Sequence, residues 1–165
     1  MEPYLFCREK SKRITIQLRF SSHSTLKSVI KRVLHTTKIK LWLDGLLYTR
    51  YQGDGVICAT PTGSTAYSLS AGGPILEPSI SALVITPICP QFSSSHPLVI
   101  RSSSQLEFEL DSDYVTYLTI DGEEEIPILK RDIIRITRSS VVARTIQLNQ
   151  VSSSDKVSIG SSRQE

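Results

Sequence analysis

Residues 53–74 hold the densest set of groups that could do chemistry. Gly53-Asp54-Gly55 is followed by the apolar run Val56-Ile57-Cys58-Ala59, then by Thr60-Pro61-Thr62-Gly63-Ser64-Thr65-Ala66-Tyr67-Ser68-Leu69-Ser70-Ala71-Gly72-Gly73-Pro74. Glycines on both sides of Asp54 let other backbone approach closely, and its carboxylate could accept hydrogen bonds from an amide or a ribose hydroxyl. Thr62, Ser64 and Thr65 surround Gly63 where a strand hands over to the start of a helix. Backbone N–H groups and the positive helix end meet at such a turn, which suits phosphate or ribose oxygens. Tyr67 could lay its ring along a flat heterocycle while its hydroxyl stays in water. Each feature alone also has a plainer reading: a cap for the Ser/Thr-Gly turn, a turn for the aspartate, a core position for the tyrosine.

The elements that must hold this stretch read mostly as strands. Arg13 to Phe20 puts Ile14, Ile16 and Leu18 on one face and Thr15, Gln17 and Arg19 on the other. Lys40 to Leu43 and Leu46 to Tyr48 flank Asp44-Gly45, a pair suited to a two-residue hairpin turn with positive φ, and Asp121-Gly122 repeats the device after Tyr117 to Ile120. Val84-Ile85, Pro97 to Ile100, Leu106 to Leu110, Ile133 to Ile136 and Val141 to Leu148 add further strands. The fold class expected is mainly β, an antiparallel sandwich with one or two short helices. Leu26, Val29, Ile30, Val33 and Leu34 have helical spacing, so Ser24 to Leu34 is expected as a helix capped by Ser24. Thr65 to Ala71 is expected as about two turns of helix ended by Gly72-Gly73. Residues 1–37 read as a lead-in, 38–149 as the β domain, and 150–165, rich in serine and charge, as a disordered tail.

Composition narrows the function classes. Nineteen Lys and Arg against sixteen Asp and Glu leave a net charge of +3, dispersed along the chain. The densest basic cluster, Arg8 to Arg13, has no interleaved aromatics, which speaks against a nucleic-acid partner. Cys7, Cys58 and Cys89 form neither a Cys-x-x-Cys pair nor a ligand set with His23, His35 or His96, so no metal site is expected. Free thiols in apolar runs fit a reducing compartment. With no apolar stretch of the ~20 residues a membrane span needs and no signal segment, a cytoplasmic setting is expected.

The run from Gly53 to Ile75 resembles the signature of the NAD kinases, which phosphorylate the 2′-hydroxyl of the adenosine ribose of NAD to give NADP. The resemblance continues through Ala82 to Pro90, through Pro97 to Ile100 with Ser103 and Ser104, and from Ile120-Asp121-Gly122 to Ile136, covering residues 8 to 145 or so. It implies the β-rich C-terminal domain of that family, with NAD as substrate and with ATP and Mg²⁺ taking part. It also implies a dinucleotide-binding set made of Asp54, Thr62, Thr65, Ala66, Tyr67, Ser68, Leu69, Ser70, Cys89 and Glu123. Within it, Thr65, Ala66 and Tyr67 line the pocket, Thr62 lies near the adenine, and Ser70 and the backbone near Cys89 lie toward the nicotinamide half. Asp54 reaches the ligand from a neighbouring subunit, so a homo-oligomer, dimer or tetramer, is implied. Glu123 stands where relatives have Gln or Arg.

Three departures bear on activity. The family's N-terminal α/β domain carries a Gly-Gly-Asp-Gly-Thr motif whose aspartate helps activate the ribose hydroxyl, and these 165 residues contain no such motif. Phosphoryl transfer depends on positioning and on charge neutralisation at the γ-phosphate, so no catalytic residue is assigned and the chain by itself is expected to be inactive. An Asn-Glu pair expected after Leu26 is replaced by Lys27-Ser28, in a stretch where the resemblance implies loop and strand and the spacing implies helix. His96 replaces an arginine before Pro97-Leu98-Val99. Two functional readings follow: the NAD-binding part of an NAD kinase, or a non-catalytic NAD(P)-binding module that assembles with itself or with a full-length kinase. A β domain with a decayed pocket is the third possibility.

Overall fold

Leu106-Glu107-Phe108-Glu109-Leu110 buries its three apolar side chains and leaves both glutamates half-buried, the alternation of a strand with one face in a core. The computed structural model describes residues 4–8, 14–20, 27–31, 36–92, 95–122 and 124–139 and contains twelve strands among them. These are β1 (Tyr4–Arg8), β2 (Ile14–Phe20), β3 (Lys27–Lys31), β4 (Thr37–Leu43), β5 (Leu46–Gly53), β6 (Gly55–Ala59), β7 (Ala82–Ile88), β8 (Leu98–Arg101), β9 (Leu106–Leu110), β10 (Thr116–Ile120), β11 (Glu124–Ile128) and β12 (Ile133–Arg138).

Two six-stranded sheets result, ordered β1-β2-β12-β9-β4-β5 and β11-β10-β3-β6-β7-β8. Among the described residues the strand pairs are antiparallel except for β12 with β2, which is parallel. One cluster of buried side chains joins the sheets: Ile39, Leu41, Phe108 and Ile134 from the first meet Val56, Ile85, Leu118 and Ile128 from the second. Each such side chain contributes roughly 1.5–3 kcal/mol by leaving water. The fold class is therefore the mainly β, sandwich-like one expected from the sequence.

Both Asp-Gly turns form as read. Asp44 and Gly45 have φ of 50° and 82°, Asp121 and Gly122 of 51° and 85°, the left-handed conformations that such tight turns require. Pro127 lies in β11, the outermost strand of its sheet, where its missing N–H breaks no central ladder.

The expected helix over Ser24 to Leu34 is corrected: Lys27–Lys31 is a strand with β10 on one side and β6 on the other. The apolar spacing there fits either period over so short a run, and two long-range partners decide the outcome. The expected strand Val141 to Leu148, the tail 150–165 and Glu123 lie outside the described residues.

The outward face of the first sheet pairs its own charges. Lys40 meets Glu109 at 3.1 Å, Trp42 Nε1 donates to the same carboxylate at 3.3 Å, and Arg135 meets Glu107 at 2.8 Å. The hydrogen bond to Glu109 is the main cause that raises the Lys40 pKa above its ordinary value. Partly exposed pairs of this kind add little to stability, because water screens them.

Candidate functional site

The second sheet is covered on both sides at β6 and β7, all of whose residues are buried. Val56 and Cys58 point between the sheets, whereas Ile57, Ala59, Ala82, Val84 and Ile88 form a second apolar cluster with Leu76, against which Ala71 packs. That outer cluster is the floor on which the segment 60–76 lies, and its burial ties the motif to the sheet.

The segment starts as a helix four residues earlier than expected. α1 (Pro61–Gly63) is capped by Thr60, whose backbone is extended and whose side-chain oxygen accepts the Gly63 N–H at 3.2 Å, with proline in the first turn as its fixed φ favours. One of the turn's donors is thus already used within the chain. Ser64–Ser68 continues as a wide π-type turn, broken at Ala66, where φ is −92° and ψ is −133°. The two regular turns expected over Thr65 to Ala71 are therefore corrected to a kinked arch. Gly72, at φ 86°, ends it as a left-handed glycine cap.

Two buried serines pin the ends of the arch. Ser64 Oγ donates to the Pro61 carbonyl at 2.6 Å and accepts the Leu76 N–H at 3.0 Å. Ser68 Oγ shares a hydrogen bond of 2.8 Å with Thr86 Oγ1 of β7, and its carbonyl accepts the Gly73 N–H at 2.8 Å. A Cβ on Gly73 would lie 2.5 Å from Ser68 Oγ and 2.6 Å from Thr86 Oγ1, so this contact admits only glycine. Between the pins Thr65, Ala66 and Tyr67 stand out into solvent, the Tyr67 ring 39% exposed. Thr62 is half-buried, Leu69 and Ser70 are exposed, and Ser68 is fully buried with its hydroxyl facing the sheet.

Asp54 occupies the corner where the chain crosses between the sheets. Gly53 pairs with Thr37 in the first sheet, Gly55 pairs with Lys31 and Ile88 in the second, and the Asp54 N–H donates to the Ile88 carbonyl at 2.9 Å. The Asp54 side chain is left exposed. A Cβ on Gly53 would lie 2.7 Å from the Ile88 oxygen and 2.8 Å from the Cys89 oxygen, so the corner also needs a glycine. Cys89 is exposed and has a φ of 42°, a conformation unusual for a residue with a Cβ. The structure thus brings Asp54 and the backbone of Cys89 together. The register partner of Thr86 is Ile57, three residues along β6 from Asp54, which sets the arch about 10 Å from the corner at the rise of a strand.

Thr86 and Thr60 were not singled out by the sequence. A hydroxyl within the buried run Ala82 to Ile88 was the available signal, since such a group needs a partner. The exposed groups of the arch and corner offer a ring face, hydroxyls and a carboxylate, which suit a heterocycle joined to a sugar. Among the described residues no three His, Cys, Asp or Glu side chains are grouped to hold a metal ion.

Residues 24–148 match the ATP-NAD kinase C-terminal domain. The chain is 43% identical over 107 residues to the NAD kinase of Acidobacterium capsulatum, a match covering 64% of this chain and 38% of that protein. It is 43% identical over 119 residues to the NAD kinase of Aquifex aeolicus, covering 72% and 42% respectively. The fold superposes on yeast NADH kinase complexed with NADH with a TM-score of 0.61 at 32% identity, over 82% of this chain and 42% of that one. For an NAD kinase from Archaeoglobus fulgidus in complex with ATP the TM-score is 0.63 at 27% identity, over 74% and 46%. The chain thus spans between 38% and 46% of the length of these relatives.

Proposed function

The chain belongs to the ATP-NAD kinase family, and from that premise we propose that it forms the dinucleotide-binding part of an enzyme transferring a phosphoryl group from ATP to the ribose 2′-hydroxyl of NAD. The observation that carries this reading is the pinned arch: Thr65, Ala66 and Tyr67 are exposed while Ser64 and Ser68 are anchored beneath them. In this reading Tyr67 covers the flat face of a base, Thr62 and Thr65 offer oxygens to the ribose, and Asp54 accepts from the dinucleotide, supplied by a neighbouring copy in an oligomer. Holding the acceptor in one orientation is the share of catalysis such residues contribute, since phosphoryl transfer relies on positioning and charge neutralisation. Mg²⁺ would neutralise the phosphates, but among the described residues no group of acidic side chains fits a metal site, and no step is assigned to it.

A second reading is a non-catalytic NAD(P)-binding module, or a partner that lends Asp54 to a full-length kinase; what supports it is that the exposed groups of the arch and corner, a ring, hydroxyls and a carboxylate, are groups that bind a dinucleotide. Calorimetric titration of the chain with NAD and with NADP, alongside an assay for NADP formation with ATP and Mg²⁺, tests both. Binding with turnover supports the kinase reading, saturable binding without turnover supports the module, and no binding removes both.

A further inference from the structure

We propose that Thr86 is a positioning residue for this site, holding the exposed Thr65-Ala66-Tyr67 segment in its ligand-ready shape through Ser68 and Gly73. The inference rests on the dinucleotide-site reading and extends it to a residue of the sheet below. Alternate residues of β7 on this face are Ala82, Val84, Thr86 and Ile88, and three of the four belong to the apolar cluster under the arch. Thr86 is the polar member of that row, fully buried, and its hydroxyl meets Ser68 at 2.8 Å. A valine would fill the same volume, so what the threonine adds is the hydrogen bond.

That bond acts on the neighbouring residue. Ser68 adjoins Tyr67, and its carbonyl is held at the same time by the Gly73 N–H. Only three residues span the distance from Ser64 to Ser68, and the break at Ala66 leaves them without a regular helical ladder to fix their shape. With both ends pinned, few conformations remain, and the ordering cost is met before a ligand arrives. Releasing the Ser68 end restores those conformations, so the same exposed groups bind less tightly.

The test uses Thr86→Val, Thr86→Ser and Ser68→Ala in the full 165-residue chain. NAD affinity is read by calorimetry, and amide hydrogen exchange is followed over residues 63–76 and over β6 and β7. Thr86→Val is expected to weaken NAD binding by roughly tenfold and to speed exchange in the arch while β6 and β7 stay protected. Thr86→Ser, which keeps the hydroxyl, restores both, and Ser68→Ala reproduces the valine variant. Wild-type affinity and exchange in Thr86→Val overturn the proposal, as does equal loosening of arch and strands, which marks a merely structural role. If the wild-type chain binds no NAD, the dinucleotide reading fails and so does the ligand half of this inference. The exchange pattern then decides separately whether Thr86 holds the arch.

Discussion

The hydroxyls of Ser68 and Thr86 meet at 2.8 Å beside the bare Cα of Gly73, joining a helical turn to a sheet at the one point where a side chain would part them. Gly72, the residue before it, differs: nothing lies within 4 Å of a Cβ there, but its φ is 86°. Gly73→Ala is therefore expected to destabilise by about 1–3 kcal/mol through overpacking and to weaken ligand binding with it. Gly72→Ala is expected to cost about 1 kcal/mol from backbone conformation, with a smaller effect on binding. Urea unfolding paired with calorimetry of both variants checks the order; equal losses of affinity would mean that the Gly73 contact has no special part in the site.

Tyr67 is exposed, so its removal should separate binding from folding. Tyr67→Ala is expected to leave the unfolding midpoint within error and to weaken NAD binding by roughly tenfold, the size of one lost base-stacking contact. Unchanged affinity with an intact fold would take Tyr67 out of the site.

How far these contacts were legible in the sequence depended on their range. Asp44-Gly45 and Asp121-Gly122 announce their turns because a positive φ is a local demand met by local residue types. Glycine, hydroxyl and tyrosine content marks residues 53–74 as a candidate site for the same reason. Lys27–Lys31 was misread because Val29 and Ile30 fit a helix as well as a strand, and the deciding neighbours, β10 and β6, lie elsewhere in the chain. The arch was drawn as a regular helix because the break at Ala66 is imposed by two serines bonded downward, one of them to a residue eighteen positions away. The partner of Thr86 is hidden in the sequence for that reason, and only a hydroxyl set within an apolar strand marks the position.

At the crossing between sheets, the three atoms nearest a side chain on Gly53 are all backbone, and backbone cannot rotate away as a side chain can. A methyl group there would stand 2.7 Å from the Ile88 oxygen, 2.8 Å from the Cys89 oxygen and 3.0 Å from the Pro90 Cα. Gly53→Ala is expected to destabilise by about 3 kcal/mol, the upper part of the overpacking range, and to displace Asp54 and Cys89 together. Denaturant unfolding measures the first effect, and the rate of Cys89 alkylation in a Cys7→Ser background reports the second. A variant as stable as wild type would show that the corner relaxes freely.

Two buried groups contribute to the response to alkali. Burial pushes the Cys58 thiol up to about 12 from 9.0, and burial with the nearby Tyr48 pushes the Tyr51 hydroxyl up to about 12 from 10.0. In each case the folded state keeps a proton that the unfolded chain releases, so between the two pKa values the folded state binds more protons and stability falls as pH rises. The contribution of Cys58 is whole below pH 9 and is lost as pH climbs from about 9 toward 12; that of Tyr51 follows from about 10 toward 12. Each group contributes a slope approaching 1.4 kcal/mol per pH unit once its unfolded form is ionised. Urea midpoints from pH 7 to 11 should therefore be level to about pH 8.5, decline above 9 and steepen above 10. Cys58→Ala should flatten the first part of that decline and leave the second, because Tyr51 titrates independently of it. The same burial keeps Cys58 from reacting with a thiol reagent in the folded protein, whereas the exposed Cys89 reacts readily. An alkaline profile in Cys58→Ala that matches wild type between pH 9 and 10 would mean that the thiol ionises in the folded state without penalty, against its complete burial between the sheets.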